Sequence, residues 1–293
     1  MKSYHSIKEL FQASEEEHCS IGELACRAEA EENGKTEIEI WARMRNMLLI
    51  FRESVKDGLS DTRKSPSGLV GGDGKKILDG EPLFLSEVCR KAAAYGVACA
   101  EANAKMYRIV ACPTAGSCGI LPAVLLAVGE MQKSSVQDMT RALLTASAFG
   151  KVVAENACIA GAVGGCQAEC GTACAMAAAA VVDLMGGTKE PMGNAFALAL
   201  KNILGLVCDP LGGLVEIPCV KRNGFHAVHA LTAAEMALSG VKSMVPPDEV
   251  IEAMNDIGRR LPTELKETSL AGLAMTPTGQ RVQKELEERS RKV

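Results

Sequence analysis

Aromatic side chains are scarce: Phe, Tyr and Trp together make up 3% of the 293 residues, with a single Trp. A core with so few rings must be filled by small and aliphatic side chains, and backbones approach closely where Gly and Ala concentrate. Few rings also leave few platforms for stacking bases, and a net charge of −4 gives no basic field to gather phosphates. Both absences argue against a nucleic-acid partner. The short basic run Arg289, Arg291 and Lys292 follows Glu285, Glu287 and Glu288, so it reads as the solvated end of a charged helix.

Residues 1–19 show no signal peptide: Lys2, Lys8, Glu9 and the acidic run 15–17 leave neither an apolar run nor a small-residue cleavage site. A cytoplasmic location is the expectation. No membrane span is expected either. Residues 109–129 are uncharged and long enough to cross a bilayer, but Pro113, Gly116, Ser117, Gly119 and Pro122 interrupt them. A loop leading into a buried helix fits that pattern better. Hairpin-bounded alternating runs, internal repeats and low-complexity linkers are missing as well. The pair spacing CxxC does not occur among the twelve cysteines, which removes zinc-ribbon and thioredoxin-type readings. In a reducing compartment a disulfide framework is not expected.

What is present is helical periodicity broken by glycine-rich turns. Residues 6–60 read as two main helices. One covers 21–32, with Ser20 as cap and Glu23 at the capping-box position; the other covers 37–56 and stops at Asp57 and Gly58. Further helices are expected over 85–106, 121–131, 136–158, 166–185, 191–204, 227–238 and 247–260, with a charged helix at the end. The alanine-dense stretch 166–185 has almost no polar face and should be buried on all sides. Loops are expected at 65–75, 113–119, 208–224 and 276–279, where Gly and Pro cluster. The fold class that follows is all-α: one helical domain whose Gly-rich loops converge.

Three cysteines stand at loop edges. Cys166 follows Gly164 and Gly165, Cys208 precedes Asp209 and Pro210, and Cys219 follows Pro218. Thiolate ligands must point into a cavity from rigid backbone, and Cys beside Pro recurs at iron–sulfur ligands. Cys170 and Cys174 lie one and two turns beyond Cys166 and read as small packing residues, as do Cys19, Cys26, Cys89, Cys99 and Cys158. For Cys208 and Cys219, spacing alone leaves the ligand and packing readings equally open.

The segments SGLVGGDGKK, RIVACPTAGSCGILPAVL, AGAVGGCQAECG, LGLVCDPLGGLVEIPCVKRN, VPPDEVIEAM and ETSLAGLAMTPTG, spread over residues 65–279, resemble the alpha chain or alpha domain of iron–sulfur-dependent L-serine dehydratases. The resemblance implies an N-terminal helical segment over 1–60 and a cluster-binding alpha-type domain over 61–293, forming one globule. It implies that Cys166 (in GCQAE), Cys208 (in CDP) and Cys219 (in PCVKRN) hold a [4Fe–4S] cluster. It implies L-serine as substrate, with pyruvate and ammonia as products. Three thiolates leave one iron of a cubane open as a Lewis acid for the departing hydroxyl.

That family occurs as single chains with a preceding beta domain or as two chains. This sequence begins at the alpha part and shows no Ser-Ser-His-Thr-like segment, so a separate beta subunit is expected. Its last cysteine is Cys219, so the terminal cysteine that caps the cluster in some single-chain relatives has no counterpart here. His226 and His229 fall where relatives carry small or amide residues, and His5 and His18 lie in the N-terminal region. The catalytic base is therefore expected on the beta subunit.

The substrate carboxylate is expected at Thr114, Gly116 and Ser117, where backbone N–H groups, hydroxyls and a helix start favour an anion. Ser65, Ser67 and Gly68 form a comparable loop, and Arg222 is suited to a bidentate carboxylate contact. The plainer alternatives are a helix cap for Ser117 and a structural ion pair for Arg222. Lys151 lacks the phosphate cup a pyridoxal site would need. Competing functions on the same residues are an L-cysteine desulfidase or related hydro-lyase, and an electron-transfer or structural iron–sulfur protein.

Overall fold

Side-chain caps set six of the helix starts. Ser20 accepts from the Glu23 N–H while the Glu23 carboxylate accepts from the Ser20 N–H, and Thr36 and Glu39 repeat this arrangement. Ser6, Ser86, Ser135 and Thr276 cap four more helices through their hydroxyls. Gly34, at φ +60°, closes the second helix in the left-handed conformation that glycine adopts without penalty.

The computed structural model describes residues 4–291; Lys2, Lys292 and Val293, used in the terminal readings, lie outside the described residues. Among the described residues the chain forms α1 (Ile7–Glu16), α2 (Ile21–Asn33), α3 (Glu37–Ser60), α4 (Asp73–Asp79), α5 (Glu87–Ala104), α6 (Ile120–Gln132) and α7 (Val136–Asn156). A short α8 (Gly161–Gly164) and a π-helical turn (Gln167–Gly171) lead into α9 (Thr172–Leu184), followed by α10 (Lys189–Lys201), α11 (Cys219–Leu238), α12 (Pro247–Arg260) and α13 (Pro277–Ser290). Strand-like pairing among these residues is limited to one isolated bridge, between Cys208 and Lys266. The all-α expectation holds.

Helix α9 is the centre. Each residue from Thr172 to Asp183 is buried, and α6, α7, α10 and α11 pack around it. Five of its side chains from Ala175 to Ala180 are methyl groups, which lets neighbouring backbones come close. Three of the ten aromatic rings cluster among α1, α7 and α10: Phe149 lies 5.2 Å from Phe196 and 6.0 Å from Phe11, centroid to centroid. Helices α1–α3 join this same core through Ile7, Leu10, Leu24, Ile40, Leu48 and Phe51. No helix among the described residues is long and apolar enough to cross a membrane, and residues 113–132 are a loop followed by the buried α6.

Glycines let α5 be approached on several sides. A Cβ at Gly58 of α3 would lie 1.9 Å from the Ala98 carbonyl oxygen, and one at Gly74 of α4 would lie 2.8 Å from the Ala98 amide nitrogen. A Cβ at Gly96 would stand 2.8 Å from the Asn223 carbonyl oxygen of α11. Gly58 therefore does not end α3 as its sequence suggests; the helix runs on to Ser60, and the glycine is where two backbones touch. Three other readings change. Residues 6–60 contain three helices, because the chain turns at Glu17 and at His18, which has φ +50°. The loop read over 65–75 already contains the first turn of α4. Helix α11 starts at Cys219 and not near Ala227; Gly224 lies inside it because a Cβ there would meet the Ala93 carbonyl oxygen at 2.8 Å.

Gly58→Ala forces backbone against backbone, so it should destabilise the chain by about 3 kcal/mol, at the upper end of overpacking costs. Urea unfolding followed by circular dichroism measures this; an unchanged midpoint would contradict the close contact between α3 and α5.

Candidate active site at three cysteine-bearing turns

Cys166 sits between two glycine-dependent turns. Gly165 has φ +78°, and a Cβ there would meet the Leu206 carbonyl oxygen at 2.9 Å. The next residue, Gln167, is fully used. Its N–H donates to Leu206 O at 3.0 Å, its Nε2 donates to Gly164 O and Met254 O at 3.0 Å each, and its Oε1 accepts from Gly205 N at 2.9 Å. The turn carrying Cys166 is thereby fixed to residues 205–206 and to α12. Its backbone continues as a π-helical turn, a form that recurs at functional sites.

Cys208 is held by the segment 265–273. Its N–H donates to Leu265 O at 2.9 Å and its carbonyl accepts from Glu267 N at 2.8 Å. Asp209 accepts from Leu273 N at 2.9 Å, and the Ser269 hydroxyl donates to Pro210 O at 2.6 Å. Cys219 is the first residue of α11, following a cis Ile217–Pro218 peptide. One turn on, the Asn223 amide donates to Cys219 O at 2.9 Å and Gly116 O at 2.8 Å, and accepts from Gly119 N at 2.8 Å. It binds the 113–119 loop to the start of α11. Arg222 donates to Val207 O at 3.0 Å and pairs with Asp209 at 3.1 Å.

The three thiols occupy one neighbourhood. The Cys166 sulfur lies 3.4 Å from that of Cys170, whose thiol lowers the Cys166 pKa by hydrogen bonding; burial opposes this and the Arg222 charge adds to it. Burial raises Cys208 strongly and Cys219 to about 12, and each is pushed further by the nearby Cys166 charge. Cys208 and Cys219 are therefore held as neutral thiols by burial. No three Cys, His, Asp or Glu side chains among the described residues gather tightly enough for a single metal ion. A polynuclear cluster, in contrast, takes its thiolates spread around a body several ångströms across. Three buried thiols from three turns, with a guanidinium beside one and a helix N-terminus at another, fit that donor set.

Glu169, on the π-helical turn, was not singled out by the sequence. It is half-buried, and burial raises its pKa. The Thr114 hydroxyl and the Gly161 N–H lie close enough to oppose that rise by favouring the charged carboxylate. A Cβ at Gly161 would lie 2.5 Å from Glu169 Oε2 and 3.2 Å from the Cys208 sulfur; one at Gly116 would lie 3.3 Å from Glu169 Oε1. Two bare glycines thus border this carboxylate where it meets the cysteine turns.

The other candidates divide. Thr114 and Gly116 face Glu169. Ser117 is buried and its hydroxyl lies 3.2 Å from that of Thr114 and 3.3 Å from Cys112 O, so it holds the loop's shape. Ser65 and Ser67 both donate to Glu216 Oε2 at 2.7 Å, and Arg289 donates to Ser67 O at 2.6 Å. Their loop is fastened to the turn before Cys219 and borders a pocket of about 590 Å³ that also includes Asn103, Leu214 and Arg289. Arg289 is therefore a docking contact of α13 and not merely a solvated helix end. Arg222 is committed to Asp209, Val207 and Cys166. His226 has a buried Nε2 without a partner among the described residues, and burial lowers its pKa to about 4. His229 lies 3.2 Å from the Asn202 amide.

Sequence reading also passed over Gln167, Asn223 and Glu216. The available signal was an amide or carboxylate set among small apolar residues in GGCQAEC, LVEIPC and VKRNG, where a polar group must be satisfied to be buried.

Asn223→Ala orphans the Gly119 N–H and two carbonyls, each costing about 1–3 kcal/mol when buried. The variant should lose stability on that scale and make the 113–119 amides exchange faster with deuterium. Unaltered exchange at Gly116–Gly119 would show that the loop is held by something else.

One family model and three known proteins are similar to this chain. The serine dehydratase alpha chain family matches residues 16–274. A probable L-serine dehydratase alpha chain of Bacillus subtilis is 46% identical over 292 residues, covering 97% of this chain and 95% of that one. The L-serine dehydratase alpha chain of Peptoniphilus asaccharolyticus is 37% identical, covering 96% and 97%. An L-serine dehydratase of Streptomyces coelicolor is 38% identical over 91% of this chain but only 60% of its own length. With the match extending over most of its length, and with the cysteine turns, the 113–119 loop and the 265–273 clamp in one place, the chain belongs to the serine dehydratase alpha chain family.

Proposed function

We propose that the chain is the cluster-bearing subunit of an L-serine dehydratase, converting L-serine to pyruvate and ammonia. The observation that carries this reading is the gathering of Cys166, Cys208 and Cys219 around Arg222, beside the 113–119 loop, in a chain of this family. Its cofactor in this reading is a [4Fe–4S] cluster on those three cysteines. Bound there, the cluster supplies a Lewis-acidic iron for the serine hydroxyl.

The chain's own residues prepare the site. Arg222 and Cys170 favour the thiolate form of Cys166. Asn223 holds the 113–119 loop against Cys219, so that loop amides receive the substrate carboxylate beside the cysteines. Gln167 and Asp209 fix the turns of Cys166 and Cys208, so that the ligands are placed before substrate arrives. Elimination removes the Cα proton and the β-hydroxyl; the aminoacrylate that leaves becomes an imine and hydrolyses.

The base completes the reading from outside this chain. His226 is half-buried and held neutral, and His229 is turned to Asn202. Two of the relatives are named as alpha chains, while the Streptomyces protein continues well beyond the matched region. We assign the base to a separate beta subunit. A cytoplasmic location, in which the twelve cysteines stay reduced, belongs to the same reading.

Anaerobic preparation with the beta subunit and a pyruvate assay on L-serine test this. Cys166→Ser, Cys208→Ser and Cys219→Ser should each lose the brown chromophore and activity while keeping helical circular dichroism, and Cys170→Ser should keep the colour. The cluster-loaded chain without its partner should be inactive. A coloured, active Cys208→Ser enzyme would refute the ligand set; full activity of the chain alone would refute the shared site.

A further inference from the structure

Among the described residues, Glu169 is a carboxylate without a cation paired to it. The groups that meet it are the Thr114 hydroxyl and the Gly161 N–H, and the charged neighbour acting on it is Glu267, of like sign. Among the described residues no Lys, Arg or His forms an ion pair with it. The Arg222 guanidinium, which acts on Cys166, is taken by Asp209. Around it stand Cys208 and the Cys166 turn, which add negative charge once the thiols ionise. A half-buried anion in such company is unfavourable unless a positive group comes to it.

Glu169 is only partly buried, and two glycines border it. Gly116 and Gly161 border its two oxygens, and a methyl group at either would press on them, at 3.3 and 2.5 Å. Gly116 and Thr114, which neighbour it, belong to the loop proposed for the substrate carboxylate. A ligand whose carboxylate rests on residues 114–117 therefore has its neighbouring atoms next to Glu169. In an α-amino acid, the neighbouring substituent is an ammonium.

We propose that Glu169 receives the α-ammonium group of the substrate and so selects α-amino acids over hydroxy acids at this site. The proposal rests on the L-serine dehydratase reading and adds a residue to it. Glu169 is a binding residue here: it holds the ammonium so that Cα and the β-hydroxyl face the base and the cysteine turns. An ion-paired, hydrogen-bonded contact of this kind contributes strongly to affinity.

The test uses the complete enzyme of both subunits, prepared anaerobically, with the chromophore read first to show that the variants carry the cluster. In Glu169→Gln, KM for L-serine should rise about tenfold or more, with kcat nearly unchanged. Inhibition by 3-hydroxypropanoate, which keeps the carboxylate and hydroxyl but lacks the ammonium, should stay as in wild type. Calorimetric affinity for L-alanine, which cannot eliminate water, should fall by the same factor as for L-serine. Glu169→Asp, which keeps the charge on a shorter arm, should recover part of the loss; it also carries the comparison if Glu169→Gln fails to assemble. Equal weakening of L-serine and 3-hydroxypropanoate would overturn the proposal in favour of a collapsed site. A fall in kcat at constant KM would overturn it in favour of proton transfer by Glu169. Wild-type enzyme inactive on L-serine would overturn the functional reading, and this proposal with it.

Discussion

The buried contact between Arg222 and Asp209 is the constraint on which the site depends. Arg222 belongs to the first turn of α11, just after Cys219; its guanidinium reaches Val207 O and Asp209, on either side of Cys208; and it interacts with the sulfur of Cys166. One side chain thus touches all three segments that carry the cysteines. Asp209 extends the connection by accepting from Leu273 N, which draws in the 265–273 segment. Removing one partner of a buried charge pair typically costs about 3–5 kcal/mol, because the other is left uncompensated. Here the loss would also release the relative placement of three thiols far apart in sequence.

That placement needs a scaffold without slack. Alanine and glycine provide it by bringing helices into near backbone contact at Gly58, Gly74 and Gly96, and around α9. Shape is then set by the backbone, with few long side chains free to adopt other rotamers. The polar residues inside this scaffold, Gln167, Asn223 and Glu101, each satisfy several backbone groups of a loop. They hold irregular backbone where no helix ladder can.

The helices that were legible in the sequence are those with strong local signals. Ser20 with Glu23 marks α2, and Pro247 near the start of α12 does the same there. The loop positions of Cys166, Cys208 and Cys219 could also be read, because Gly and Pro flank them. What could not be read locally depends on distant partners. Gly58 looks like a helix stop and Gly224 like the end of a loop, but both sit inside helices, since the backbone of α5 comes against them. Arg222 could be read as a substrate contact only while Asp209 was not known to lie 3.1 Å from it. Ser65 and Ser67 looked free until Glu216 was found to accept from both. Glu169 gave no signal by spacing, because its meaning comes from Thr114, Gly116 and Gly161 on other segments.

The central claim is that Cys166, Cys208 and Cys219 together hold one cubane with a single iron open to substrate. Mössbauer spectroscopy of the two-subunit enzyme loaded with ⁵⁷Fe, with and without L-serine, tests it most directly. The account predicts that L-serine shifts the signal of one iron in four and leaves the other three unchanged. Four equivalent irons that do not respond to L-serine would contradict it, and would point to a cluster fully ligated by protein.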